Sequence, residues 1–118
     1  MLEPGLEAAR EFTVEGELLT DVRGSLPQPV LSTPRMISLM EYTSVDAIKD
    51  HLDPGTASVG FEVCIKHVAA APEGSTCTVR STLREFADGR KLRFDVEVTM
   101  GERVIGTGRH ERRIIQVG

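Results

Sequence analysis

The chain predicts an α+β fold, an antiparallel β-sheet with one long helix laid against it. Three observations predict it. A single stretch, Thr33 to about Leu52, repeats its apolar residues with helical spacing. One run before it and four after it carry the two-residue alternation of strands. The later runs are joined mostly by short turns, Asp88-Gly89 and Gly101-Glu102 among them, which connect antiparallel neighbours. The expected order is β-α-β-β-β-β. With 118 residues and no linker, repeat or low-complexity stretch, one domain over residues 1–118 is expected.

Taken in order, residues 1–9 are a polar lead-in. Arg10 to Thr20 alternates weakly through Phe12, Val14 and Leu18 and predicts a first strand, with Gly16 as a bend. Gly24, Pro27 and Pro29 make residues 21–32 a loop. Thr33 is expected as helix N-cap with Pro34 as the first helical residue, and Asp53-Pro54-Gly55 as the stop. Ser58 to Val68 then places Val59, Phe61, Val63, Ile65 and His67 on one face, with Gly60, Glu62, Cys64 and Lys66 on the other. Ser75 to Ala87 faces inward through Cys77, Val79, Ser81 and Leu83. Lys91 to Met100 does so through Leu92, Phe94, Val96, Val98 and Met100. Val104 to Val117 is a last long strand, in which Gly106 and Gly108 mark points of close approach.

Composition excludes several classes. Apolar residues make up 40% and charged residues 27%, which is neither disordered nor membrane-like. No apolar run approaches spanning length, and the acidic N-terminus does not read as a secretory signal. The net charge of −4, with dispersed cations, speaks against wholesale nucleic-acid binding, though a few arginines can hold an anionic ligand. Cys64 and Cys77 lack zinc spacing and read as two small reduced core residues, with a disulfide between them as the alternative. A cytoplasmic location is the default expectation.

On a helical wheel, Met36, Ile37, Met40, Ser44, Val45, Ala47, Ile48 and Leu52 fill about half the circumference. Glu41 falls among them. A carboxylate there must find a partner, neutralise, or line a cavity. Thr33 lies eight residues before it, about two turns, at the helix start. His67 has the core-facing parity of its strand. Each has a plain structural explanation: an N-cap, a satisfied core-edge histidine, an ion-paired glutamate. Together they make a recognisable chemistry. A hydroxyl becomes a nucleophile when an imidazole takes its proton, and a carboxylate behind the imidazole fixes its tautomer. The helix N-terminus offers N–H groups to developing negative charge. Gly60 lets a further backbone N–H approach. Such an assembly suits acyl transfer or hydrolysis.

The segments V-L-S-T-P-R-M-I-S-L-M-E-Y, L-D-P-G-T-A-S-V-G-F-E-V-C-I-K-H-V-A-A-A-P-E-G and G-T-G-R-H-E-R-R-I-I closely resemble the fluoroacetyl-CoA thioesterase family, from about residue 12 to 115. The Thr-to-Glu spacing of eight and the Glu-to-His spacing of 26 match that family. The resemblance implies a hot-dog fold, a sheet wrapped around its central helix, and a homodimer whose interface forms an acyl-CoA site. It implies Thr33, Glu41 and His67 as the catalytic triad, Gly60 near the thioester carbonyl, and Arg112 as a contact to the CoA end. No metal or redox cofactor is implied, CoA being part of the substrate.

Two departures bear on substrate. The phenylalanines that gate the pocket of the fluoroacetyl-specific member are missing from V-R-G-S-L-P-Q-P-V-L, so the resemblance does not carry that substrate over to this chain. Pro34, directly after Thr33, removes an N–H. The expected activity is hydrolysis of a small acyl-CoA or related thioester, with Thr33, Glu41 or an activated water as nucleophile. The alternatives are a non-catalytic hot-dog module that binds an acyl ligand and, less favoured, an enoyl-CoA hydratase. Hydratases pair an Asp with a nearby His, and here the one such histidine, His51, sits at the helix end.

Overall fold

The structure, a computed structural model, describes residues 1–118. A five-stranded antiparallel sheet has the order β1-β5-β6-β7-β4. Its strands are β1 (Glu7–Thr13), β4 (Thr56–His67), β5 (Thr76–Ala87), β6 (Lys91–Met100) and β7 (Arg103–Gln116). A small second ladder pairs β2 (Leu19–Thr20) with β3 (Val30–Leu31). The single long helix, α1 (Thr33–Ile48), packs chiefly on β5 and β1 and continues as a tighter turn over Lys49–His51. This is the hot-dog arrangement. No helix is long and apolar enough to cross a membrane.

The core is a contiguous cluster that includes Met36, Met40 and Ile48 of α1 and Val79, Leu83, Leu92, Phe94, Val98 and Ile105 of the sheet. The inward faces read from β5 and β6 are the buried ones as far as Val98; Met100, beyond a register shift between Val98 and Thr99, is half-buried. Gly106 and Gly108 are close approaches: a Cβ on Gly106 would lie 2.5 Å from the Met36 sulfur, and one on Gly108 2.1 Å from the Cys64 carbonyl oxygen. The first seats the helix on β7, the second lets β4 and β7 pair.

Three sequence expectations shift. The first strand runs from Glu7 to Thr13, earlier than Arg10–Thr20, because Gly16 at φ +57° turns the chain into a short 3₁₀ turn before β2. The N-cap is Ser32: its Oγ accepts from the Arg35 N–H at 3.5 Å, so Thr33 is already inside the helix. The third concerns β4. A β-bulge falls between Gly60 and Glu62, where one extra residue opposes β7. It reverses the alternation: Gly60 joins Val63, Ile65 and His67 on the helix side. Val59 and Phe61, expected to share the face of His67, turn outward, and Phe61 lies under the Arg113 guanidinium at 3.7 Å.

Candidate active site

Thr33, set at the first turn of α1 by the Ser32 cap, projects an exposed side chain toward the end of β4. There its Oγ1 lies 2.7 Å from His67 Nδ1. The cap explains the geometry, since Ser32 serves the helix N–H and leaves the Thr33 hydroxyl free. His67 is half-buried. Burial lowers its pKa below the ordinary 6.5, and the neighbouring Ala69 backbone opposes this in part. The ring is therefore neutral at neutral pH. Its Nε2 is buried and has no hydrogen-bond partner. A neutral imidazole that accepts the Thr33 proton at Nδ1 carries a hydrogen on Nε2, which is left to meet a ligand or a second chain. Beside the pair runs an open cleft of about 370 Å³ lined by Thr20, Val22, Val30, Leu31 and Val68–Ala70.

The Thr20-to-Leu31 side of this cleft comes from the loop before the helix. Val22 and Arg23 there adopt left-handed φ of 51° and 59°, ahead of Gly24 at 83°. For a β-branched valine this is a sparsely populated conformation. The residues that line the cleft are aliphatic or small apart from Thr20, Thr33 and His67.

Glu41 stands elsewhere. It projects from the edge of α1 toward β4 and β7, with 38% of its side chain exposed, so it is at the margin of the apolar arc and not inside it. The reason is the off-centre seat of the helix: its most buried side, Met36, Met40, Thr43, Ser44, Ala47 and Ile48, turns from β4 toward β5 and β1. The partner of Glu41 is Arg112, whose Nη1 lies 3.8 Å from Oε2. Gly60 faces the same carboxylate: a Cβ there would be 3.1 Å from Oε2.

Arg112 is 7% exposed and held on several sides. Its Nε donates to Ser58 Oγ at 2.8 Å, its Nη2 to the Ser58 carbonyl at 2.9 Å, and its Nη1 lies 3.2 Å from His110 Nε2. Burial lowers the guanidinium pKa and the Glu41 charge works to raise it. His110 was not singled out from sequence. It sits in the G-R-H-E-R segment of β7, where alternation alone reads it as one more core position.

Of the five residues expected at the site, the fold thus groups Thr33 with His67 and Glu41 with Gly60 and Arg112. It does not bring Glu41 to His67 within one chain. Glu41 lies two turns along α1, about 12 Å of helix rise from Thr33.

A sheet wrapped around one helix, with a hydroxyl–imidazole pair at that helix's N-terminus, defines a hot-dog protein of the thioesterase superfamily. The fluoroacetyl-CoA-specific thioesterase family matches residues 14–118, and the chain belongs to that family. It is 41% identical over 88 residues to the fluoroacetyl-CoA thioesterase of Streptantibioticus cattleyicolor. That match covers 75% of this chain and 63% of the relative, less than two thirds of its length. The solved structure of the fluoroacetyl-CoA thioesterase FlK superposes with a TM-score of 0.86 at 32% identity, covering 99% of this chain and 90% of that one. A thioesterase-superfamily protein from Thermus thermophilus superposes at 0.85 with 28% identity, over 97% of this chain and 84% of that one.

Proposed function

We propose that the protein is an acyl-CoA thioesterase that hydrolyses a small acyl-CoA or related thioester. The observation that carries this reading is the 2.7 Å contact between Thr33 Oγ1 and the neutral His67 ring at the start of α1. His67 takes a proton from Thr33 or from a water at its side. Glu41 supplies the carboxylate, either by orienting the base or by acting on the acyl carbon or its attacking water. Pro34 has no N–H and the Arg35 N–H is engaged by Ser32, so the helix terminus offers the Thr33 N–H to the developing oxyanion. Gly60 provides a second close backbone, and Arg112 a cation beside the site. The aliphatic cleft suits a short acyl chain and lacks the aromatic gate that would select fluoroacetyl.

The reading includes a homodimer. β4 is a sheet edge, with Val59, Phe61 and Val63 exposed along it. Two β4 edges pairing antiparallel about an axis near Val63 and Cys64 bring Gly60 of each copy close to the partner's His67. The Glu41 group of one chain and the Thr33–His67 pair of the other then share one site, and the unpartnered His67 Nε2 gains a neighbour. Both cysteines are free, which fits a reducing, cytoplasmic setting, but only Cys77 is a core residue: Cys64, on the outward face of the β4 edge, is exposed.

Thiol release from a panel of short acyl-CoAs tests the activity. No turnover above background, with the acyl-CoAs still bound, would leave a non-catalytic acyl-CoA-binding module. Mixing Glu41→Ala with His67→Ala protein tests the shared site. If each site draws on both chains, a mixed dimer keeps one intact site, and statistical exchange restores about a quarter of wild-type turnover. No restoration after confirmed exchange places all the groups of each site in one chain.

A further inference from the structure

We infer that His110 is a positioning residue of this site, acting through Arg112 on Glu41 and through the β4 bulge on Gly60. The inference rests on the thioesterase reading given above. His110 is 2% exposed, and its ring stacks near Phe94 of β6 at 6.1 Å between centroids. Two contacts fix its tautomer. Nδ1 lies 2.9 Å from the Glu62 carbonyl oxygen, which can only accept, so Nδ1 carries the hydrogen. Nε2 lies 3.2 Å from Arg112 Nη1, which can only donate, so Nε2 is the bare lone pair.

The ring therefore links two parts of the site. On one side it holds the Glu62 carbonyl at the bulge that turns Gly60 toward Glu41. On the other it completes the set of acceptors that aim the guanidinium. Ser58 takes Nε and Nη2, His110 takes one hydrogen of Nη1, and Nη1 is left leaning toward Glu41. The ring works in this way while it is neutral, because a second cation 3.2 Å from Arg112 would push the guanidinium off its aim. The charged groups that face it are Arg112 from its own strand and Glu41 from α1. β4 presents Gly60 and the Glu62 carbonyl, and β6 presents Phe94. Burial above all, helped by the Arg112 charge, holds its pKa below 6.5 against the Glu62 carbonyl and the Glu41 charge, which work to raise it.

The test is a double-mutant cycle on kcat and KM with the best acyl-CoA of the panel. His110→Leu is expected to lower kcat by about 10- to 100-fold while changing KM less. In an Arg112→Ala background the same change is expected to lower kcat several-fold less than it does in the wild type, because only the route through the Glu62 carbonyl and the bulge remains. His110→Gln, whose amide oxygen reaches the Nε2 position, is expected to recover more turnover than His110→Asn. The inference is overturned if folded His110→Leu keeps wild-type kcat, or if its loss is as large in the Arg112→Ala background. If the leucine variant does not fold, the Gln and Asn variants carry the comparison, and equal loss in both overturns the inference. Imidazole ¹⁵N shifts of the wild-type protein read the tautomer without any turnover: an Nδ1–H ring supports the inference and an Nε2–H ring overturns it. Absence of turnover in the wild type therefore counts against the thioesterase reading, while the tautomer result still judges the clamp.

Discussion

The two groups on α1, one at its N-terminus and one two turns along, are built on opposite principles. At Thr33 and His67 there is one short contact, a buried imidazole nitrogen with nothing to bond, and an open cleft. Beside Glu41 the connections centre on Arg112, which engages Ser58 twice and His110 once and stands 3.8 Å from the carboxylate. The first group is under-satisfied, and the second holds the Arg112 guanidinium in place. Under the proposed hydrolysis both kinds of region have a use, since a reacting pair must be free to exchange protons while its electrostatic surroundings stay fixed.

The largest break in this contrast comes at the unsatisfied end. His67→Ala is expected to lower kcat by about 10²- to 10⁴-fold, the usual worth of a base that activates a nucleophile. Its melting temperature should change little, because the ring makes a single side-chain hydrogen bond. Equal kcat in wild type and variant would remove His67 from the chemistry. Glu41→Gln should cost about 10- to 100-fold in kcat. Its stability cost should be about 1 kcal/mol or less, since the carboxylate is more than a third exposed and 3.8 Å from its cation. A melt shifted by several kcal/mol with kcat intact would reassign Glu41 to structure.

The pH profile sharpens the same comparison. His67 and His110 both have folded pKa values below the 6.5 they have when unfolded. Each group therefore contributes stability that is fully present above pH 6.5 and lost as pH falls from 6.5 through the folded value, because the unfolded chain binds the extra protons. kcat/KM should follow the neutral fraction of His67: a plateau at neutral pH and a fall of up to about tenfold per unit below its folded pKa. A rate that rises as pH drops from 7 to 5 contradicts a neutral base.

A smaller effect is expected at Gly60→Ala. The new Cβ meets the far end of the Glu41 side chain at 3.1 Å, so the carboxylate shifts by a few tenths of an ångström. The expected result is a several-fold loss of kcat with about 1 kcal/mol or less of stability. Gly108→Ala is the control, because its Cβ meets a backbone oxygen that cannot yield without breaking β4 from β7. An equal loss of stability in both would show that Gly60 is needed for pairing and not for Glu41. The smallest effect belongs to Arg10→Ala, which removes a partly exposed ion pair to Asp46 and should change stability by about 0.5 kcal/mol with no change in turnover.

Much of the fold is legible from periodicity. The inward faces of β5 and β6 and the glycine contacts of β7 follow from alternation and from residues that leave no side chain in the way. Glu41 is legible as a misfit, because a carboxylate beside Ile48 and Leu52 asks for a partner. The capping residue is less legible, since Ser32 and Thr33 are both good N-caps and the choice depends on which hydroxyl the histidine takes. The face of Gly60 is not legible at all. A β-bulge adds one residue without altering composition, and one residue reverses which side of the sheet every later side chain meets. His110 escapes for a related reason: a histidine in a strand reveals its role only through what faces it.

The sequence by itself determined the order of elements, the apolar faces, and a set of residue types suited to acyl chemistry, all of which depend on local spacing. It also carried the family membership, through motifs that run nearly the whole chain. The tertiary structure decided which of those residues meet: Thr33 with His67, and Glu41 with Arg112, Gly60 and His110. Those pairings depend on the tilt of one helix across the sheet and on one inserted residue in β4. Both are fixed by packing among distant segments and leave no periodic trace in the chain.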